Sequence, residues 1–139
     1  MARTIFSIFL GTLIAGLVVT AFGYGFTELY RLPDANDFAS QESLLDYAAG
    51  TPRAAIACML AAWAVAALIG GWVAAISAGP RQGAAALVVG ALLTATVIVH
   101  ASLIPNPEWV AVTGMLLPIP FAVLAGLLAM PRLTSPTLA

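Results

Sequence analysis

The five arginines and six carboxylates of this 139-residue chain leave four long runs without formal charge: residues 4 to 27, 54 to 80, 82 to 107 and 109 to 131. The hydrocarbon core of a bilayer is roughly 30 Å thick and takes about 20 apolar residues at ~1.5 Å of helical rise each. All four runs exceed that length once their turn residues are trimmed. Lipid offers a backbone polar group no water, so such a run must satisfy its own N–H and C=O groups as a helix. The expected fold is all-α, an up-down-up-down bundle of four transmembrane helices over about 4–26, 52–78, 82–104 and 107–130. These belong to one integral membrane domain, 1–139, with an outer loop at 27–51.

Composition bears this out, because 62% of residues are hydrophobic and 8% charged, against the roughly 25% charged of a soluble domain. Four helices and one loop fill the length, which leaves no room for a separate soluble catalytic domain. The net charge of −1 and the lack of a basic surface argue against nucleic acid. The expected partners are the lipid bilayer and either another membrane protein or a second copy of the chain. Cys58, the one cysteine, has no disulfide partner and is expected to pack as a small apolar group.

Charge also orients the helices. Glu28, Asp34, Asp37, Glu42, Asp46 and Glu108 fall in the two connections on one side of the membrane, whereas Arg3, Arg81 and Arg132 share the other. The positive-inside rule makes the arginine side cytoplasmic, with both termini on it. Arg31 and Arg53 dissent, but within a loop that holds five carboxylates. The first run also fits a signal peptide, with Arg3 as its basic start and Val19-Thr20-Ala21 as a small-residue site. Its removal would put Arg81 outside and Glu108 inside, against the charge rule, so a retained span is the better reading.

Turn residues mark the boundaries. Thr51-Pro52 and Asn106-Pro107 each read as an N-cap followed by a first helical proline. Gly79-Pro80 and Pro105-Asn106-Pro107 make connections short enough to force antiparallel neighbours. Met130-Pro131 ends the last span. Pro118 and Pro120 fall near the middle of that span, where they remove helical hydrogen bonds and predict a kink. The carbonyls this frees, near Gly114 and Leu116, then need another donor.

Small residues recur every four positions, as Ala66-Gly70-Ala74-Ala78 and Ala67-Gly71-Ala75 in the second span. Ala86-Gly90-Thr94 in the third and Ala122-Gly126 in the fourth repeat the spacing. Such rows let helix backbones approach closely. The tightest packing is therefore expected among spans two, three and four, through Gly70, Gly71, Ala74, Gly90 and Gly126.

Tyr24, Tyr30 and Trp109 mark the outer interface and Trp72 the inner one. Trp63, near mid-depth, has an indole N–H in need of an acceptor; it either faces a cavity or fills the bundle. In the outer loop, Ser40 to Ala49 reads as a short amphipathic helix with Leu44, Leu45 and Ala48 on its apolar side. The loop's acids are the hard oxygen ligands a divalent cation takes, yet they follow no EF-hand register, and solvated surface is the simpler reading.

His100 is the one histidine and lies roughly 10 Å from the centre of its span toward the outside. An ionisable group inside a membrane is a functional candidate by default. Thr96, Glu108 and Trp109 are the residues expected to join it in a polar cluster. The alternative is a neutral imidazole bonded to a neighbouring helix or to outer water. A single histidine cannot supply both ligands of a bis-histidine haem.

No P-loop, nucleophile elbow, Cys-x-x-Cys or His-Glu zinc pattern is present, so no catalytic residue, cofactor or metal is assigned. The reading from residues is a non-catalytic accessory, assembly or scaffold component of a membrane complex. The alternative is a small oligomeric transporter or channel that uses the kinked fourth span and His100. From Arg53 onward, Leu68-Ile69-Gly70-Gly71-Trp72, the Gly-rich third span and Pro105-Asn106-Pro107-Glu108-Trp109 before a proline-bearing last helix carry a likeness. In these the chain resembles a group of small, functionally uncharacterised four-span bacterial inner-membrane proteins. That resemblance implies the topology and an inner-membrane location, and no activity. The small multidrug exporters are similar in size but look to a glutamate in their first span that is missing here. Dual-topology fluoride channels are also of this size, but the polar track expected of their pore is not visible.

Overall fold

In the computed structural model, which describes residues 1–130, the chain is all-helical, with no strand among the described residues. Helix α1 spans Ala2–Leu29, α2 Gln41–Ala49, α3 Arg53–Ala78, α4 Gln82–Leu103, α5 Glu108–Leu116 and α6 Pro118–Ala129. Short 3-10 turns occupy Asp37–Ala39 and Gly79–Arg81. Three helical stretches are long and apolar enough to cross a membrane: Ala2–Leu29, Arg53–Leu103 and Glu108–Ala129. The second folds back at Gly79–Arg81. Gly79 takes φ +68 there, a left-handed conformation that a side chain would resist. Pro131 and Arg132 lie outside the described residues.

The three span-length stretches are strongly apolar, and proline or glycine stands at or near most of their helix boundaries, at Pro52, Gly79-Pro80, Pro105 and Pro107. The predicted caps shift by one residue. Pro52 and Pro107 themselves stand at the N-cap positions, with extended ψ of 147 and 139, and no side chain caps either helix. Thr51 instead donates its hydroxyl to the Tyr47 carbonyl, and Asn106 donates its amide to the Ile104 carbonyl. Proline needs no hydrogen bond at its nitrogen, so one orphan donor fewer has to be capped. At the far end of α3, Arg3 donates Nε to the Ser77 carbonyl at 2.9 Å. A cation there also complements the negative end of the helix dipole.

Helix α3 is central, with twelve buried residues, and it packs on α1, α4 and α6. The packing differs from the expectation in one respect. The Gly70-Ala74 row meets α1, not the later spans: a Cβ on Gly70 would stand 2.6 Å from the Gly11 carbonyl oxygen and 2.7 Å from Ala15 Cβ. Ser7, Gly11 and Ala15 are the buried residues of α1 and form a small-residue row of their own. The Gly71 row faces Ala122 and Ala125 of α6 as well as Ala86 of α4. Gly90 packs on Ala122 and the Pro118 carbonyl, and Gly126 on Gly83 and Ala86. Small residues thus serve every principal contact of α3, α4 and α6, and a second set is spent on α1.

The last helical stretch is interrupted at Leu117, between α5 and α6, just before Pro118, while Leu117 itself keeps helical angles of φ −61 and ψ −45. Pro118 is fully buried against α4, and Pro120 is exposed. The Thr94 hydroxyl sits 3.1 Å from the Gly90 carbonyl of its own helix and 3.5 Å from the Met115 carbonyl beside the break.

The charged residues gather at opposite ends of the helices. Arg3 and Arg81 mark one end, and the six carboxylates mark the other, where the α1–α3 loop and the α4–α5 connection come together.

Candidate functional site

At the carboxylate end α1 and α3 stay in touch through Cys58, whose Sγ lies 3.7 Å from the Phe22 carbonyl. Beside this contact Phe22, Phe26, Met59 and Trp63 border a cavity of about 310 Å³. Val19, Phe22, Gly23 and Phe26 of α1 line it at helical spacing, and Met59, Ala62 and Trp63 of α3 form a second wall. His100 and Ile104 come from the end of α4, Asn106 from the connection after it, and Leu32, Pro33, Tyr47, Ala48 and Thr51 from the loop above. Toward the arginine end the space is closed by a core cluster that includes Ala15, Ala66, Ala67, Ala74, Val89 and Leu93.

Trp63 and His100 form the polar wall. Their rings meet edge to face, 5.6 Å between centroids at 74°, a favourable aromatic geometry. Trp63 is 6% exposed, and it fits because Gly114 of α5 leaves room for the indole. A Cβ there would stand 2.7 Å from Trp63 Cε3 and 3.2 Å from Val97 Cγ1. Trp63 therefore both fills the core and faces a cavity. Neither its indole N–H nor a His100 ring nitrogen bonds another group among the described residues. Thr12 Oγ1 is the one unpartnered side-chain polar atom sealed from solvent there, so the ring nitrogens of the wall stay reachable.

Of the polar cluster expected around His100, the structure brings none of the other three to the cavity. Thr96 is exposed and donates to the Leu92 carbonyl of its own helix at 3.0 Å. Glu108 and Trp109 are exposed at the start of α5. The residues that do join His100 are Trp63, Asn106, Tyr47 and Thr51. Trp63 was findable. It and His100 stand at similar distances before and after the Gly79–Arg81 turn, so an antiparallel pairing sets them side by side.

The roof is α2 and the loop before it. Ser40 caps α2 in a reciprocal box with Ser43, as the Ser-x-x spacing allows. The inward side of α2 holds Leu44, Tyr47 and Ala48, while Leu45 is 52% exposed and points away. Tyr47, 5% exposed, donates its hydroxyl to the Arg31 carbonyl at 2.9 Å, and its own carbonyl accepts the Tyr30 hydroxyl at 3.0 Å. The Arg31 guanidinium lies 5.1 Å from the centre of the Tyr47 ring and grips both carboxylate oxygens of Asp37. The Asp34 N–H donates to the same carboxylate at 2.8 Å.

These bonds govern titration in the roof. Hydrogen bonding from Arg31, then from the Asp34 backbone, holds Asp37 down to about 2. The same bond to Asp37 raises Arg31 above its ordinary value, and burial raises Tyr47. Arg31, a dissenting charge in the sequence, is thus neutralised by Asp37.

Comparison with protein-family models, curated proteins and solved structures gave no match. Function must therefore be read from the cavity. Its walls are mainly apolar, its polar groups are uncharged, and no Asp, Glu, Lys or Arg lines it. No group of three or more His, Cys, Asp or Glu among the described residues is arranged to hold a metal ion. Such a site can hold an uncharged molecule and orient it by hydrogen bonds.

Proposed function

We propose that the chain is a four-span integral membrane protein of the bacterial inner membrane, with the arginine end cytoplasmic and the carboxylate end outside. Its work is non-catalytic: it is an accessory component of a membrane complex that receives a small molecule in the outer-end cavity. The observation that carries this is the cavity's shape, open beneath the α2 roof and stopped below by the alanine-rich core. A dead-ended pocket suits retention, whereas conduction needs a continuous path. The charge segregation supports the orientation. The lengths of α1, α3, α4 and the α5–α6 pair support four crossings in an up-down-up-down bundle, in one domain.

A small oligomeric transporter would couple His100 to the kink in the last span. Here the two are separate, since Pro118 is packed on α4 and no residue of α5 or α6 lines the cavity. Native mass spectrometry of the protein extracted from its own membrane in mild detergent tests the reading. The expected spectrum shows the chain with a defined extra mass, a small molecule or a partner protein. A bare chain that passes solute into proteoliposomes in a His100-dependent manner would overturn it.

A further inference from the structure

We infer that the cavity beneath α2 binds the headgroup of a lipid quinone, a neutral ring that carries carbonyl oxygens. This rests on the reading of the cavity as a retention site and names its ligand. Charge comes first: no Asp, Glu, Lys or Arg lines the cavity, so a phosphate or ammonium headgroup would be buried without a fixed counter-charge. Size comes second. A volume of about 310 Å³ lies at the small end of ligand pockets, roughly 300 to 1,000 Å³. That suits one substituted six-membered ring better than a lipid's whole tail.

Hydrogen-bonding capacity narrows the class further. The indole of Trp63 can only donate, and a neutral imidazole at His100 offers one donor and one acceptor. Neither residue's ring nitrogens bond another group among the described residues, and the two rings, 5.6 Å apart between centroids, both line the cavity. Carbonyl oxygens are the complement, and Phe22 and Phe26 of α1, with Met59 one turn from Trp63, supply the apolar and sulfur surface on which a flat ring packs. The tail has a way out. Helix α1 contacts α4 less than it contacts α3, and in this proposal the tail leaves between α1 and α4, whose residues Phe22, Phe26, His100 and Ile104 line the cavity.

The test uses the full chain in nanodiscs of phosphatidylcholine and phosphatidylglycerol. Trp72 and Trp109 are replaced by phenylalanine so that Trp63 alone fluoresces, and a benzoquinone bearing one isoprene unit is the probe. Quinones quench indole fluorescence on contact. The expected result is saturable quenching, weakened by His100→Phe by about three- to tenfold, as loss of one hydrogen bond implies. Gly23→Leu should abolish saturation: Gly23 lines the cavity, and nothing lies within 4 Å of a Cβ built there, so the leucine fills the space without a clash. Quenching that rises linearly with quinone and is the same in Gly23→Leu reports collision in the bilayer and overturns the inference. In that case, a small molecule retained by the wild type and lost from Gly23→Leu in native mass spectra leaves the retention site standing and removes only the quinone. Bare chains in both remove the retention site as well.

Discussion

Asp37 stays ionised although its side chain is largely covered, because Arg31 meets both of its oxygens and the Asp34 N–H adds a third bond. A carboxylate whose pKa falls on folding stabilises above its ordinary value of 3.8 and loses that contribution as pH falls through about 2. The loop should accordingly hold at pH 4 and open by pH 2. Pepsin, active across this range, should cut between Asp37 and Gly50 far faster at pH 2 than at pH 4 in the wild type. In Asp37→Asn the loop should be cut readily at both, and equal rates at both pH values in the wild type would contradict the role of the pair. Gly114 supplies a second residue-scale test. Gly114→Val would drive the Trp63 ring toward the cavity, and Trp63 emission in the Trp72→Phe, Trp109→Phe background should shift. The sequence marks Arg31 and Asp37 as charges, but it does not show that they are each other's partners, because irregular loop backbone has no period from which to read a pairing. Glu108, which looked part of a polar cluster, follows Pro107 outward to the surface.

Among the helices, the closest approach is between α1 and α3, where Gly11 and Gly70 face one another's backbone. Backbone cannot turn aside as a side chain can. Gly11→Leu or Gly70→Leu should therefore cost at least the ~1–3 kcal/mol typical of overpacking, and should separate α1 from the rest. Gly16, next after Ala15 on the same helix, has nothing within 4 Å. Gly16→Leu should change stability by less than about 0.5 kcal/mol. Unfolding in mixed detergent with rising SDS, followed by circular dichroism, compares the three. Equal losses at Gly11 and Gly16 would show that lipid exposure, not helix contact, sets the cost. The helices themselves were legible, because charges and prolines bracket apolar runs whose length suits membrane-crossing helices. The interruption of the last helix at Leu117 falls where proline cannot donate to the helical ladder. Which small-residue row meets which neighbour was not legible, since Ser7-Gly11-Ala15 and Ala66-Gly70-Ala74 carry the same spacing as the rows of α4 and α6. Tyr47 was missed as the anchor of α2 because its ring counts as neither plainly apolar nor charged in a helical stripe.

Across the whole molecule, two asymmetries coincide. Arg3 and Arg81 lie at one end with no acid, while the other end holds the carboxylates, a roofed cavity and an arginine already paired. On the proposed reading, the first asymmetry would orient the chain in a membrane, and the second would make the carboxylate end the side that meets ligand. Both depend on four crossings. Accessibility of single cysteines in right-side-out membrane vesicles tests this directly, in a Cys58→Ser background with cysteine placed in turn at Glu42, Gln82 and Glu108. A membrane-impermeant maleimide is predicted to label positions 42 and 108 in intact vesicles, and position 82 only after the vesicles are opened. Labelling of position 82 from outside, or of 42 and 108 from opposite sides, would contradict the four-span orientation and with it the placement of the cavity at the outer face.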